Sequence, residues 1–313
     1  MTGTSTEAAP ARPSSPADIG LWKQCAFQSV RVALWLLTKV LTLNGLYRFA
    51  AFFGTLEWCI NYKRRRVFAQ RLERVFGNVL SRSRRRRETL GHFRISRCDK
   101  VLYLIMDLLP RASVLGRFHI GNRELLDQGL AGGNGVYVAL SHHGAHHVAG
   151  LCLALLGYRV AGVRDRKEGA MRRFIQQRYE RKYPEFRKIR MIFSDAYPRD
   201  IYRCLKDNYT LGSALDVHRP RGRHQKTVPV TIFKEQRNFL TGTLQVALRS
   251  GSAVLQGFIV SEPGFHYRLE LLGPLVASGD RGETPELLAD VMQAYAENIE
   301  SYARRHPTHL TRM

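Results

Sequence analysis

Apolar and polar positions along the chain fall into two regimes, and the change comes after Leu130. From Phe27 to Phe53 the sequence is apolar but interrupted by Arg31, Lys39 and Arg48. No stretch there reaches the roughly 18–20 uninterrupted apolar residues of a confident spanning helix. Trp22, Trp35 and Tyr47, with spaced basic residues, suit a helix lying in or dipping into a membrane interface; a core helix is the alternative. Between Tyr62 and Arg97, Val67, Leu72, Val75 and Phe76 keep helical spacing, and a further apolar-faced helix over Leu90–Leu109 stops at Pro110.

Beyond Leu130, short β-rich runs alternate with helical ones. Strands are expected at Val136–Leu140, Arg159–Val163, Ile189–Phe193, Leu211–Asp216, Val228–Phe233, Ala253–Val260 and Phe265–Leu272. Helices are expected at Val148–Leu156, Gly169–Lys182, Arg199–Asp207, Phe239–Ser250 and Pro285–Arg305. Such alternation predicts an α/β fold, a mostly parallel mixed sheet flanked by helices, behind an N-terminal helical membrane-associated segment. The expected organisation is a disordered, Pro-rich tail over 1–18 and a basic helical region over 19–110. An α/β domain over 111–313 follows, continuous with that region as one globular unit.

Charge sharpens this picture. The chain of 313 residues carries 49 Lys+Arg against 26 Asp+Glu, a formal net charge of +23. An excess of this size implies a polyanionic partner: nucleic acid, an anionic membrane face or phosphorylated substrates. Two basic bursts, Lys63–Arg66 and Arg84–Arg87, concentrate it. Signatures of RNP motifs, zinc fingers and basic zippers are missing, so no nucleic-acid partner is expected. The five cysteines are scattered without a CxxC pair and read as reduced thiols facing a cytosol.

The chemistry concentrates in residues 137–151, YVALSHHGAHHVAGL, where a histidine-rich turn joins a buried strand to a helix. Open α/β sheets place ligands at the carboxyl ends of their strands. A metal reading competes, because His142/His146 and His143/His147 are each at helical i,i+4 spacing and His218 or His224 could approach. No Glu, Asp or Cys lies in the cluster to complete such a site, and neither metal nor organic cofactor is expected.

The order of these blocks resembles the lysophospholipid acyltransferase superfamily, specifically its bacterial lipid A late-acyltransferase branch. SHHGAHHVAG looks like that branch's histidine block. Gly162-Val163-Arg164, LDVHRPRGRHQKTVPVTIFK, TGTLQVALRSGSAVLQGFIV and the tail YARRHPTHLTRM follow in the expected sequence. Members carry His-x4-Asp/Glu, the His as general base and the acid orienting it. On one helix, positions five apart lie roughly 140° apart and cannot touch, so the His must precede the helix. In this register His142 takes the base position, Gly144 the turn glycine, and His147 the place of the acid.

That departure matters, because replacing the orienting Asp of a serine-protease triad by Asn lowers turnover about 10⁴-fold. Asp216, Asp165 and Asp195, near strand ends, are candidates for the missing charge. By the resemblance, Arg164, Asp216 and Arg219 line the substrate side at the open end of the sheet, with backbone donors near Gly144 holding the oxyanion. The arginines meet substrate phosphate or the phosphate region of the donor, and Asp216 pairs with a nearby Arg or supplies the missing charge to His142. The implied activity is transfer of an acyl group from acyl carrier protein or acyl-CoA to a hydroxyl or amine of a lipid or glycolipid, at the cytoplasmic face of a bacterial inner membrane. Two alternatives stand beside it: a non-catalytic lipid-binding protein on the same scaffold, and a basic nucleic-acid-binding protein.

Overall fold

The structure, a computed structural model, describes residues 20–164, 170–193, 198–217, 226–280 and 282–311. The expected tail over 1–18, the candidate acids Asp165 and Asp195, and His218, Arg219 and His224 lie outside the described residues.

The interrupted apolar stretch folds as two helices. Leu41 turns extended after α1 (Leu21–Val40), and the Thr42 hydroxyl accepts the Gly45 N–H at 3.1 Å to cap α2 (Leu43–Ile60). Among the described residues no helix is long and apolar enough to cross a membrane. Arg31 interrupts the apolar pattern because it is buried with a partner: its guanidinium meets Asp107 at 2.7 Å and donates to the Leu104 carbonyl. α2 then crosses α4 (Arg82–Ile105) at Gly54, where a Cβ would lie 2.6 Å from the Arg94 backbone.

Both basic bursts sit in the first two turns of a helix, Lys63–Arg66 in α3 (Tyr62–Phe76) and Arg84–Arg87 in α4. Cations there oppose the helix dipole. Side-chain caps from Asn61 and Ser81 offset this, as do Arg64–Glu57 and Arg85–Glu73 ion pairs, each at 2.7 Å. A short α5 (Arg111–Leu115) leads into the sheet.

That sheet has seven strands in the order β1-β9-β8-β2-β5-β3-β4. The strands β2 (Val136–Leu140), β3 (Val160–Arg164), β4 (Arg190–Phe193), β5 (Thr210–Ala214) and β8 (Ala253–Glu262) run parallel; β9 (His266–Val276) is antiparallel to β8, and β1 (Phe118–Gly121) parallel to β9. Helices cover both faces. Val136 and Val138 of β2 point into a core shared with α1, α2, α4, α6 (Arg123–Ala131), α7 (His146–Leu155) and α8 (Ala170–Lys182). Tyr137 and Ala139 point into the other, built with α3, α9 (Pro198–Lys206), α10 (Gly242–Ser250) and α11 (Pro285–Arg305). A strand buried on both faces needs the near-continuous apolar run that marks β2.

Two strands escape the sequence reading. β1 has four residues, FHIG, too few for a periodicity. β7 (Glu235–Leu240) is largely polar and pairs with β6 (Thr227–Ile232) in a separate hairpin. Its two-residue turn is Phe233-Lys234, with φ of 50° and 63°, in place of the Asn-Gly or Asp-Gly that would announce it. β7 also takes Phe239 and Leu240, so α10 begins at Gly242 rather than Phe239.

Removing one partner of a buried ion pair leaves the other uncompensated. Asp107→Ala is expected to destabilise the fold by about 3–5 kcal/mol, read as a lowered Tm, and joint replacement by Arg31→Met and Asp107→Leu to recover most of that loss.

Candidate active site

β2 and β5 are neighbouring parallel strands with Leu140 opposite Ala214. Each chain continues two residues beyond this pair, to His142 and to Asp216. Parallel registration therefore brings the two side chains to the same edge. The Asp216 carboxylate accepts the His142 backbone N–H through Oδ2 at 2.8 Å and faces His142 Nδ1 through Oδ1 at 2.6 Å. With Nδ1–H donating to Asp216, Nε2 is left to act on a substrate proton.

Burial alone would raise the Asp216 carboxyl. Its hydrogen bond to the His142 ring, and the fields of His142 and His143, bring it below the usual carboxylate range. Asp216 is thus an ionised carboxylate supplied by the neighbouring strand, whereas the His-x4 spacing places the acid on the helix.

His147 occupies another environment. Its ring contacts run to Tyr103 at 5.2 Å and to His146 at 5.7 Å between centroids, while the His142 ring lies 5.1 Å from His146. Burial, with Arg172 nearby, pushes His147 down to about 4. Burial does the same to His146, down to about 3, and its Nδ1 is buried without a partner. Both rings are neutral at physiological pH. His143 points inward, 3% exposed, with burial lowering it as well.

Gly144 has φ +66°, and a Cβ there would sit 2.4 Å from the Ile259 carbonyl oxygen, so the turn admits glycine alone. Its own N–H is held by the His309 carbonyl at 2.9 Å. The Val148 N–H donates to the Ala145 carbonyl at 2.8 Å, the His146 and His147 N–H groups at the start of α7 have no intrahelical acceptor, and Ala145 at the N-cap provides no side-chain cap. The Gly144 N–H is thereby occupied, and the N–H groups open to an anion at this turn are those of the α7 terminus.

Arg164 closes β3 on the far side of β5, bonded to Gln176 at 2.7 Å and lying over the Phe193 ring. It lines a cavity of about 980 Å³ together with His142, His146, Lys226 and Thr243. A second cavity of about 1040 Å³ runs between α1, α2 and α4, with walls that include Phe27, Leu34, Ala50, Phe53 and Leu104. Tyr103, Gly144, His147, Arg172 and Thr311 line both, which makes the histidine turn the junction of an apolar chamber and one with a larger polar share. Tyr103, Arg172 and Thr311 were not singled out from sequence; they come from α4, α8 and the tail, and nothing in their spacing ties them to the turn. Among the described residues no group of three or more His, Cys, Asp and Glu could hold a metal ion.

The family model for bacterial lipid A biosynthesis acyltransferases matches residues 21–311 of the chain. No curated protein matches it.

Buried neutral histidines make stability depend on pH. His92 and His147 are held down to about 4, and His146 and His309 to about 3, whereas an unfolded chain protonates near 6.5. The unfolded state then binds more protons, so stability is full above about pH 6.5 and falls as pH drops below it, by up to about 1.4 kcal/mol per pH unit for each ring. Asp216, with its lowered value, adds a separate loss only below about pH 4. Urea unfolding at pH 7.5, 6 and 5 is expected to show this slope, and His146→Gln to flatten it.

Proposed function

The chain belongs to the bacterial lipid A biosynthesis acyltransferase family, an acyltransferase of lipid A-like biosynthesis, and on that premise we propose that His142 is the general base for acyl transfer. The reading is that an acyl thioester, carried by acyl carrier protein or CoA, gives its acyl group to a hydroxyl or amine of a lipid or glycolipid. Nε2 of His142 takes the acceptor's proton as its oxygen or nitrogen attacks the thioester carbonyl. The oxyanion meets the leading N–H groups of α7. Collapse breaks the carbon–sulfur bond, and the departing thiolate takes the proton back from His142.

One observation carries this reading: the ionised Asp216 stands 2.6 Å from Nδ1 of His142, and His142 lines a cavity. It supplies what His147 cannot, a fixed negative charge beside the imidazolium that forms. It also weakens the case for a non-catalytic lipid-binding protein, which rested on the missing acid. His147 then acts as an uncharged ring at the junction of the chambers, and Gly144 as the residue that lets the turn close.

The division of the substrate follows the lining. The apolar chamber suits an acyl chain. The chamber with Arg164 and Lys226 suits the polar acceptor and the phosphate-bearing end of the donor, since a planar guanidinium meets phosphate oxygens in pairs. On the surface, Leu21, Trp22, Trp35, Phe52, Phe53 and Ile60 of α1 and α2 are exposed, an apolar face suited to the interface of an inner-membrane leaflet. Exposed Arg84, Arg86 and Arg87 suit anionic headgroups or an acidic carrier protein.

Supplied with acyl carrier protein or CoA thioesters and membrane lipid extract, the enzyme is expected to give an acylated lipid by mass spectrometry. His142→Ala should abolish that product, and Asp216→Asn should lower kcat by about 10³- to 10⁴-fold. Full activity in His142→Ala would remove it from its role.

Membrane attachment has its own readout. Each Arg→Gln change at Arg84, Arg86 or Arg87 is expected to weaken binding to phosphatidylglycerol vesicles by about 1 kcal/mol, an effect that vanishes in high salt.

A further inference from the structure

The turn that carries His142 is not held by its own elements. Ser141 to Ala145 leave β2 and enter α7 without a side-chain cap, and Gly144 adopts positive φ. The His142 carbonyl and the Gly144 N–H point away from both, and buried backbone groups of this kind need partners. Those partners come from the far end of the chain. After α11 a single 3₁₀ turn, Pro307–His309, passes beneath the histidines. The His309 carbonyl accepts the Gly144 N–H at 2.9 Å, the Thr311 hydroxyl donates to the His142 carbonyl, and the Thr311 N–H donates to His143 Nδ1 at 3.4 Å.

This segment is itself anchored. The Thr308 carbonyl accepts His92 Nδ1–H from α4 at 2.9 Å, and Thr308 packs on Gly91, where a Cβ would lie 2.7 Å from its methyl carbon. His309, 5% exposed, accepts the Ser261 N–H of β8 through Nε2 at 3.0 Å. Three consecutive turn residues, His142, His143 and Gly144, are thereby tied to a strap fixed on a helix and on the sheet.

We propose that Pro307–Thr311 is a positioning strap for proton transfer, with Thr311 the positioning residue that sets the backbone of His142. Asp216 holds the imidazole from its Nδ1 side and from the His142 N–H; Thr311 holds the same residue from its carbonyl. With both in place the ring has one orientation toward the junction of the two chambers. Reacting groups tolerate little misplacement, so an unheld turn loses rate without losing substrate.

The inference rests on His142 being the base, and the test separates the two. Thr311→Val keeps the size and removes the hydroxyl; Thr311→Ser restores the hydroxyl alone. Thr311→Val is expected to lower kcat about tenfold, equal to about 1.4 kcal/mol, with KM for the thioester unchanged and Tm lowered modestly by the unpaired His142 carbonyl. Thr311→Ser should return to within about threefold of the parent. In the substrate-free protein, the downfield proton resonance of the His142–Asp216 bond should shift or broaden in Thr311→Val and recover in Thr311→Ser. A Thr311→Ser enzyme no faster than Thr311→Val, or an unmoved resonance in Thr311→Val, overturns the strap. Activity persisting in His142→Ala overturns the base instead, and leaves the resonance to judge whether the strap holds the residue.

Discussion

A hydrogen bond between the ends of two adjacent parallel strands organises this molecule's chemistry. His142 and Asp216 lie 74 residues apart in sequence and 2.6 Å apart in space. They meet because β2 and β5 pair with Leu140 opposite Ala214, and each strand runs two residues further. A slip of one residue in that pairing would send Asp216 to the opposite face of the sheet. Both strands are buried on both faces, so their register is strongly specified. The core that packs around Tyr137, Val138 and Leu211 thus fixes the pair at the site.

Around this pair the protein handles charge in two ways. In the helical region, cations are numerous and are either exposed, as at Arg84 and Arg86, or matched, as Arg31 is by Asp107. Near the histidine turn the strategy reverses: His143 is buried, His146 and His147 are half-buried, and all three are shifted toward the neutral form. In the proposed mechanism, a second positive ring beside His142 would oppose the imidazolium formed during transfer. Neutral neighbours leave Asp216 as the charge that decides its behaviour.

Much of the architecture was legible before coordinates. β2 and α11 fall where the apolar and helical patterns put them, and the parallel core follows from the alternation after Leu130. What escaped has local causes. β1 is short and lies at a sheet edge, β7 is polar, and the Phe233-Lys234 turn lacks the residues that mark hairpins. The break between α1 and α2 depends on one threonine cap within a stretch that hydropathy alone reads as continuous. For the site, the His142 turn was visible as a cluster. Asp216 stood among three acids near strand ends, and spacing along the chain does not say which strands are neighbours. Thr311 was invisible for the same reason, since its partners lie nearly 170 positions away.

Moving the acid off the helix has a further effect on α7. A carboxylate in the first turn of a helix competes for the very amides that would otherwise bind an incoming anion, and neutralises their field. The first turn of α7 contains no acidic residue. With Asp216 beside His142 on the neighbouring strand, the proposed orientation of the base and reception of the anion fall to two elements, and neither has to compromise with the other.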